Sequence, residues 1–111
     1  MNVTLRQIQA FVLVARLGSF TRAAQAMHLT QSALSLLVRE LEGAIEGRLF
    51  DRTTRAVTLT VVGSDLFPRA ERILADLESA ISGVDKLMAR ERGRVVVAAP
   101  LLLSSLSLIH I

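Results

Sequence analysis

The 111-residue chain contains no cysteine, tryptophan or tyrosine, and only two prolines. Without cysteine there is no disulfide framework, no thiolate metal site and no cysteine nucleophile, a usage that fits a reducing compartment. With aromatics at 4% and hydrophobic residues at 51%, a core has to be built from Leu, Val, Ile, Ala and four Phe. That composition favours helices over a β-sandwich. The start, MNVTLRQIQAF, lacks the basic stretch and long apolar run of a signal peptide, so a cytoplasmic location is expected. The length suits one modest domain plus an appendage.

Charge is unevenly spread. Residues 1–60 carry seven arginines against four acids, an excess of three, whereas residues 61–93 carry five bases against six acids. Twelve arginines stand against a single lysine. Arginine suits planar recognition of phosphate or guanine, although GC-rich coding produces the same bias.

Apolar residues at 5, 8, 11, 12 and 15 have helical spacing and predict a first helix over Thr4–Leu17, with Gly18 as its stop. Ser19 is a good N-cap for a short second helix, Phe20 to Met27, whose Ala23, Ala24 and Ala26 allow a close neighbour. After a His28-Leu29 turn, Thr30 caps a third helix running to about Ala44. On this helix Leu34, Leu37, Val38 and Leu41 gather on one side, and Gln31, Ser32, Ser35 and Arg39 on the other. An ordinary solvated face would be Lys and Glu. Alternation in Val57 and Leu59, after Leu49-Phe50 and the polar run Asp51–Arg55, predicts a hairpin over about 49–59. Thr60 then caps a long helix, 61–92. Pro68 removes one of its hydrogen bonds and is a point where it can bend.

Helix, turn and helix, with a third helix in front and a hairpin behind, is the layout of a winged helix-turn-helix, mainly α, over residues 1–60. The helix-turn-helix occupies about 18–37 and the recognition helix about 31–44. Short donors and acceptors on a recognition helix reach base edges or phosphates. Arg52 and Arg55, flanking Thr53 and Thr54 at the hairpin tip, suit a wing lying along the DNA backbone or minor groove. The stripe Leu66, Phe67, Ile73, Leu74, Leu77, Ile81, Val84, Leu87 and Met88 on the long helix exceeds what a 60-residue domain can cover, which predicts homodimerisation. The competing class is a protein-interaction or dimerisation module without specific DNA binding.

The stretches SFTRAAQAMHLTQSALS, LE, GRLFDRTTRAVTLT and VGSDLFPRA resemble the N-terminal region of LysR-type transcriptional regulators, over about Leu5 to Val97. The resemblance implies a winged domain that binds a partly palindromic promoter site as a homodimer, a linker helix that pairs with its counterpart, and a C-terminal domain that binds a small-molecule inducer. Carried onto this chain, the implied DNA-contacting positions are Thr30, Gln31, Ser32, Ser35 and Arg39, with Arg52 and Arg55 in the wing and Arg22 on phosphate. Three departures stand out. Ser32 replaces a frequent proline, Leu36 a frequent polar or basic residue, and Val61-Val62 a polar and small pair. Leu36 falls on the exposed side beside Arg39, where it either meets a thymine methyl or leaves a polar contact missing.

No glycine-rich phosphate loop, paired carboxylates or Ser/His/Asp set stands out, so catalysis is not expected. His28 is a turn residue with only His110 as a distant companion, and no metal or cofactor is expected in this fragment. From Gly93 the text GRVVVAAPLLLSSLSLIHI resembles, over Arg94–Pro100, the first strand of the family's effector domain. Residues 93–111 are therefore expected to be the truncated start of that domain plus an artefactual tail. The ending LSLIHI is what CTG-TCT-CTT-ATA-CAC-ATC encodes, which is similar to a transposase-end adapter. The rival is a 17-residue apolar tail anchor, Val95–Ile111, interrupted by Pro100, three serines and His110.

Overall fold

The structure, a computed structural model, describes residues 2–51 and 56–92. Among them the order is α1 (Leu5–Leu17), α2 (Phe20–Ala26), α3 (Gln31–Ile45), β1 (Phe50–Asp51), β2 (Thr58–Leu59) and α4 (Val61–Arg92). Each helix begins on a hydroxyl that takes up an orphan backbone amide. Thr4 lies outside α1 as its N-cap and forms a capping box: its Oγ1 accepts from Gln7 N at 3.2 Å, and Gln7 Oε1 accepts from Thr4 N at 3.1 Å. Ser19 Oγ accepts from Arg22 N, Thr30 Oγ1 from Ala33 N and Thr60 Oγ1 from Gly63 N, each at 3.1 Å.

Helix ends differ slightly from expectation. Gly18 closes α1 in the left-handed region at φ 64°, its N–H on Val14 O. Met27 is the cap of α2 and not its last turn, because its backbone has left the helical region, at φ −95° and ψ 3°, while its N–H still bonds Ala23 O. α3 runs one residue past Ala44, to Ile45, and is closed by Glu46 at φ 55°. Glu46 holds this left-handed conformation with a side chain, a state that costs L-residues roughly 1–2 kcal/mol; a carboxylate at the negative end of a helix adds to the cost. His28, in the turn between α2 and α3, is the second such residue, at φ 57°.

The hairpin is antiparallel, Phe50 opposite Leu59 and Asp51 opposite Thr58. Its strands are only two residues long, and Leu49 lies just before β1 rather than in it. Its tip, Arg52–Arg55, lies outside the described residues, as does the segment 93–111 with the expected effector strand, tail and anchor. No helix among the described residues is long and apolar enough to cross a membrane.

The chain forms two compact units. The first runs to Leu74, beyond the residue-60 limit expected from sequence, because the first turns of α4 join its core. Phe11, Val12, Val14, Leu34, Val38, Leu41, Leu49 and Phe50 are fully buried at its centre, with Ala10, Ala23 and Ala70 filling the close contacts. All four phenylalanines are linked: Phe11 meets Phe50 at 5.5 Å and Phe67 at 6.3 Å, and Phe20 meets Phe50 at 5.6 Å, all tilted or edge-on as aromatic quadrupoles prefer. Leu66, Phe67 and Leu74 pack against this core. They line the core of their own chain while staying partly exposed, at the near end of the expected dimer stripe. Ile73 stays exposed, as do Leu77, Ile81, Val84, Leu87 and Met88. In the second unit the described residues, 75–92, are the remainder of α4.

The tightest approach in the first unit is at Gly63, in the first turn of α4. A Cβ there would stand 2.2 Å from Leu49 O and 2.9 Å from a Leu59 methyl. Gly63→Ala gains about 1 kcal/mol of helix propensity but must displace backbone, and overpacking of that kind costs about 1–3 kcal/mol or more. The expected outcome is a net loss of stability, read as a lower urea midpoint; a midpoint equal to or above the wild type would show that the approach is slack.

Candidate nucleic-acid interface

α3 divides sharply around its axis. Leu34, Val38 and Leu41 are buried, and Leu37 and Ile45 pack on the core from the flanks. At about 100° per residue, Ser32, Leu36, Arg39 and Gly43 fall within roughly 60° of one another on the opposite side. All four are exposed, and Ser35 lies half-buried at the edge of the group. Glu40 bounds the surface on its far side, and between Gln31 and Arg39 there is no acid. The outward arc is therefore short hydroxyls, one leucine and one guanidinium.

Gln31 is exposed but does not share this arc. It stands above Glu42 on the α2-facing edge, and its Oε1 accepts from Thr21 Oγ1 at 3.2 Å. That bond ties the first turn of α3 to α2 through the amide oxygen and does not use the Gln31 NH2 donors. Thr30 is exposed, yet its oxygen is already committed to capping α3. Arg22 is exposed in the first turn of α2. Arg52, Thr53, Thr54 and Arg55 fall outside the described residues, so the structure gathers the α3 positions and leaves the wing-tip four unplaced.

Two residues that periodicity does not single out hold this surface in place. Thr21 is one. Glu42 is the other, a carboxylate only 8% exposed, on the arc that α3 turns to the core. Its Oε2 accepts from Leu49 N at 2.8 Å and lies 3.9 Å from Arg48 Nε. A buried charge needs such partners. The acid thereby fastens the last turns of α3 to the chain entering β1. Its signal in the sequence is an acid where the helical wheel calls for an apolar residue. On the other side of the unit two Arg16 guanidinium nitrogens, Nε and Nη2, each reach the same Glu71 oxygen, Oε2, across 3.0 Å, an exposed contact between α1 and α4 worth little by itself.

No group of three or more His, Asp or Glu residues able to hold a metal ion occurs among the described residues. Every buried side-chain nitrogen or oxygen there has a hydrogen-bond partner.

Three helices, a short antiparallel wing and an outward polar face on the third helix define a winged helix-turn-helix. Residues 5–64 match the family model of the bacterial regulatory helix-turn-helix protein, lysR family, and the chain belongs to that family. It is 39% identical over 116 residues to the HTH-type transcriptional regulator CfxR of Cupriavidus necator, a match covering 97% of this chain and 37% of that protein. The chain thus spans about a third of the length of such curated relatives, as it does for PtxR of Pseudomonas aeruginosa, 42% identical over 89% of this chain and 32% of that protein. Among solved structures, BenM_DBD in complex with catB site 1 DNA superposes with a TM-score of 0.76 at 28% identity, over 78% of this chain and 97% of the other.

Glu42→Ala leaves the buried Leu49 amide without its acceptor, which costs about 1–3 kcal/mol. Chemical denaturation is expected to register that loss, and a smaller one for Glu42→Gln, which keeps a carbonyl acceptor. Equal stability of all three proteins would remove Glu42 as the fastening between α3 and the wing.

Proposed function

We propose that this chain is the DNA-reading part of a transcriptional regulator, binding a partly palindromic promoter site with one α3 in each of two successive major grooves. The observation that carries the reading is the outward arc of α3: hydroxyls and Arg39, free of acid, on a helix whose other side is locked into the core. Short side chains there match the donor and acceptor pattern of base edges, and arginine matches phosphate or guanine. Arg22 and the wing residues Arg52, Thr53, Thr54 and Arg55 are assigned to the DNA backbone on either side. The DNA-bound state of the BenM_DBD structure supports the assignment.

The exposed α4 stripe supports a homodimer. Ile73, Leu77, Ile81, Val84, Leu87 and Met88 recur every three or four residues, with Val84 and Leu87 more than half exposed. A continuous apolar seam of that spacing is what two helices bury against each other. The reading includes a cytoplasmic location, no catalysis, and no cofactor for DNA binding. Response to a small-molecule inducer is assigned to a further domain of the kind that longer relatives have room for.

Arg39→Ala and Arg52→Ala are each expected to weaken the electrophoretic shift of DNA from upstream of the gene, and to lower the salt slope of binding by about one for each phosphate no longer neutralised. Unchanged affinity and slope in both would favour the protein-interaction reading. The dimer has its own measurement. Sedimentation should find the chain in a concentration-dependent dimer and the Leu77→Glu/Val84→Glu variant monomeric at the same concentration; identical masses would place self-association elsewhere.

A further inference from the structure

Leu36 is half exposed in the middle of α3, at 50% of its full accessibility. The other leucines and the valine of this helix that serve the fold are buried or packed on the core, and Leu36 belongs to neither layer. It stands four residues after Ser32 and three before Arg39, inside the polar arc. Gly43, two turns further on, has no side chain and nothing near it that would need the space. Leu36 is therefore the one apolar group that this arc presents outward.

A leucine side chain can neither donate nor accept a hydrogen bond. On the major-groove edge of a base pair the one apolar group is the C5 methyl of thymine. Flanking hydroxyls and a guanidinium engage the polar edges and the phosphates, which leaves the methyl as the matching surface for Leu36. We propose that Leu36 is a specificity-determining residue that selects thymine at one position of each half-site through its C5 methyl. The proposal rests on α3 entering the major groove, the reading given under the proposed function.

Replacing thymine by deoxyuridine deletes this methyl and leaves every hydrogen-bonding atom of the base in place. Duplexes enriched from a random pool by the 111-residue chain would be remade with deoxyuridine at each thymine in turn and titrated with wild type and with Leu36→Ala. The expected result is one symmetry-related position where deoxyuridine weakens wild-type binding on the order of fourfold, the scale of one buried methyl-sized group. At that position Leu36→Ala should bind thymine and deoxyuridine sites equally. Because Leu36 is outside the core, the variant should melt with the wild type. Sensitivity at no position, or an equal loss in Leu36→Ala, overturns the assignment while leaving DNA binding intact. Failure to enrich any sequence overturns the DNA reading itself, and this assignment with it.

Discussion

The first unit turns on one short piece of main chain, the two residues before the wing. Leu49 donates its amide N–H to the Glu42 carboxylate of α3 and its carbonyl accepts from Thr60 N, while Arg48 O accepts from Thr60 Oγ1. The same Leu49 carbonyl lies so close to α4 that residue 63 has no room for a Cβ. Three elements thus meet on two consecutive peptides. Side-chain packing alone orients helices loosely, since hydrophobic contact is non-directional; hydrogen bonds to a fixed backbone supply direction. Loss of the Glu42 carboxylate leaves the buried Leu49 amide unpaired, so the cluster resists dismantling at that bond.

That clamp explains how α3 carries two unrelated duties. Its inner side belongs to the core, and the outer side is released from any packing requirement. Where a surface is exempt from folding constraints, its composition reports on what it meets. Serines, a leucine and one arginine are a poor choice for mere solvation, for which Lys and Glu serve better. Thr21 adds a second hold near the start of the helix through Gln31, so α3 is secured at both ends against rocking.

Legibility in the sequence follows the range of the interactions. Caps and stops are local, and Ser19, Thr30, Thr60 and Gly18 are readable as such from their neighbours; Thr4 reads as one position too far inside its helix because its apolar followers hide the capping box with Gln7. The buried side of α3 is readable from its period. Contacts that join distant residues are not. Glu42 stands out as an acid on the apolar side of the wheel, but the amide that satisfies it is unknown until Leu49 is brought beside it, and nothing in residues 21 and 31 announces their bond. The stripe of α4 reads as uniform, yet only a folded neighbour decides that Leu66, Phe67 and Leu74 are covered while Leu77 and Val84 are not. In the same way the polar arc of α3 and the place of Gln31 outside it follow from the helical period, whereas the hydroxyl that occupies the Gln31 carbonyl appears only when Thr21 is brought beside it.

Gly63 and the two left-handed residues, His28 and Glu46, have opposite consequences for how such a chain can drift. At 28 and 46 the backbone adopts a conformation that glycine takes more easily than the residues present, so sequence change there is a two-way street. At 63 the neighbouring carbonyl admits hydrogen and nothing larger. Lineages can wander around the ends of α3 and return, but a step away from glycine at the root of α4 has to be matched by movement of the main chain that leads into the wing.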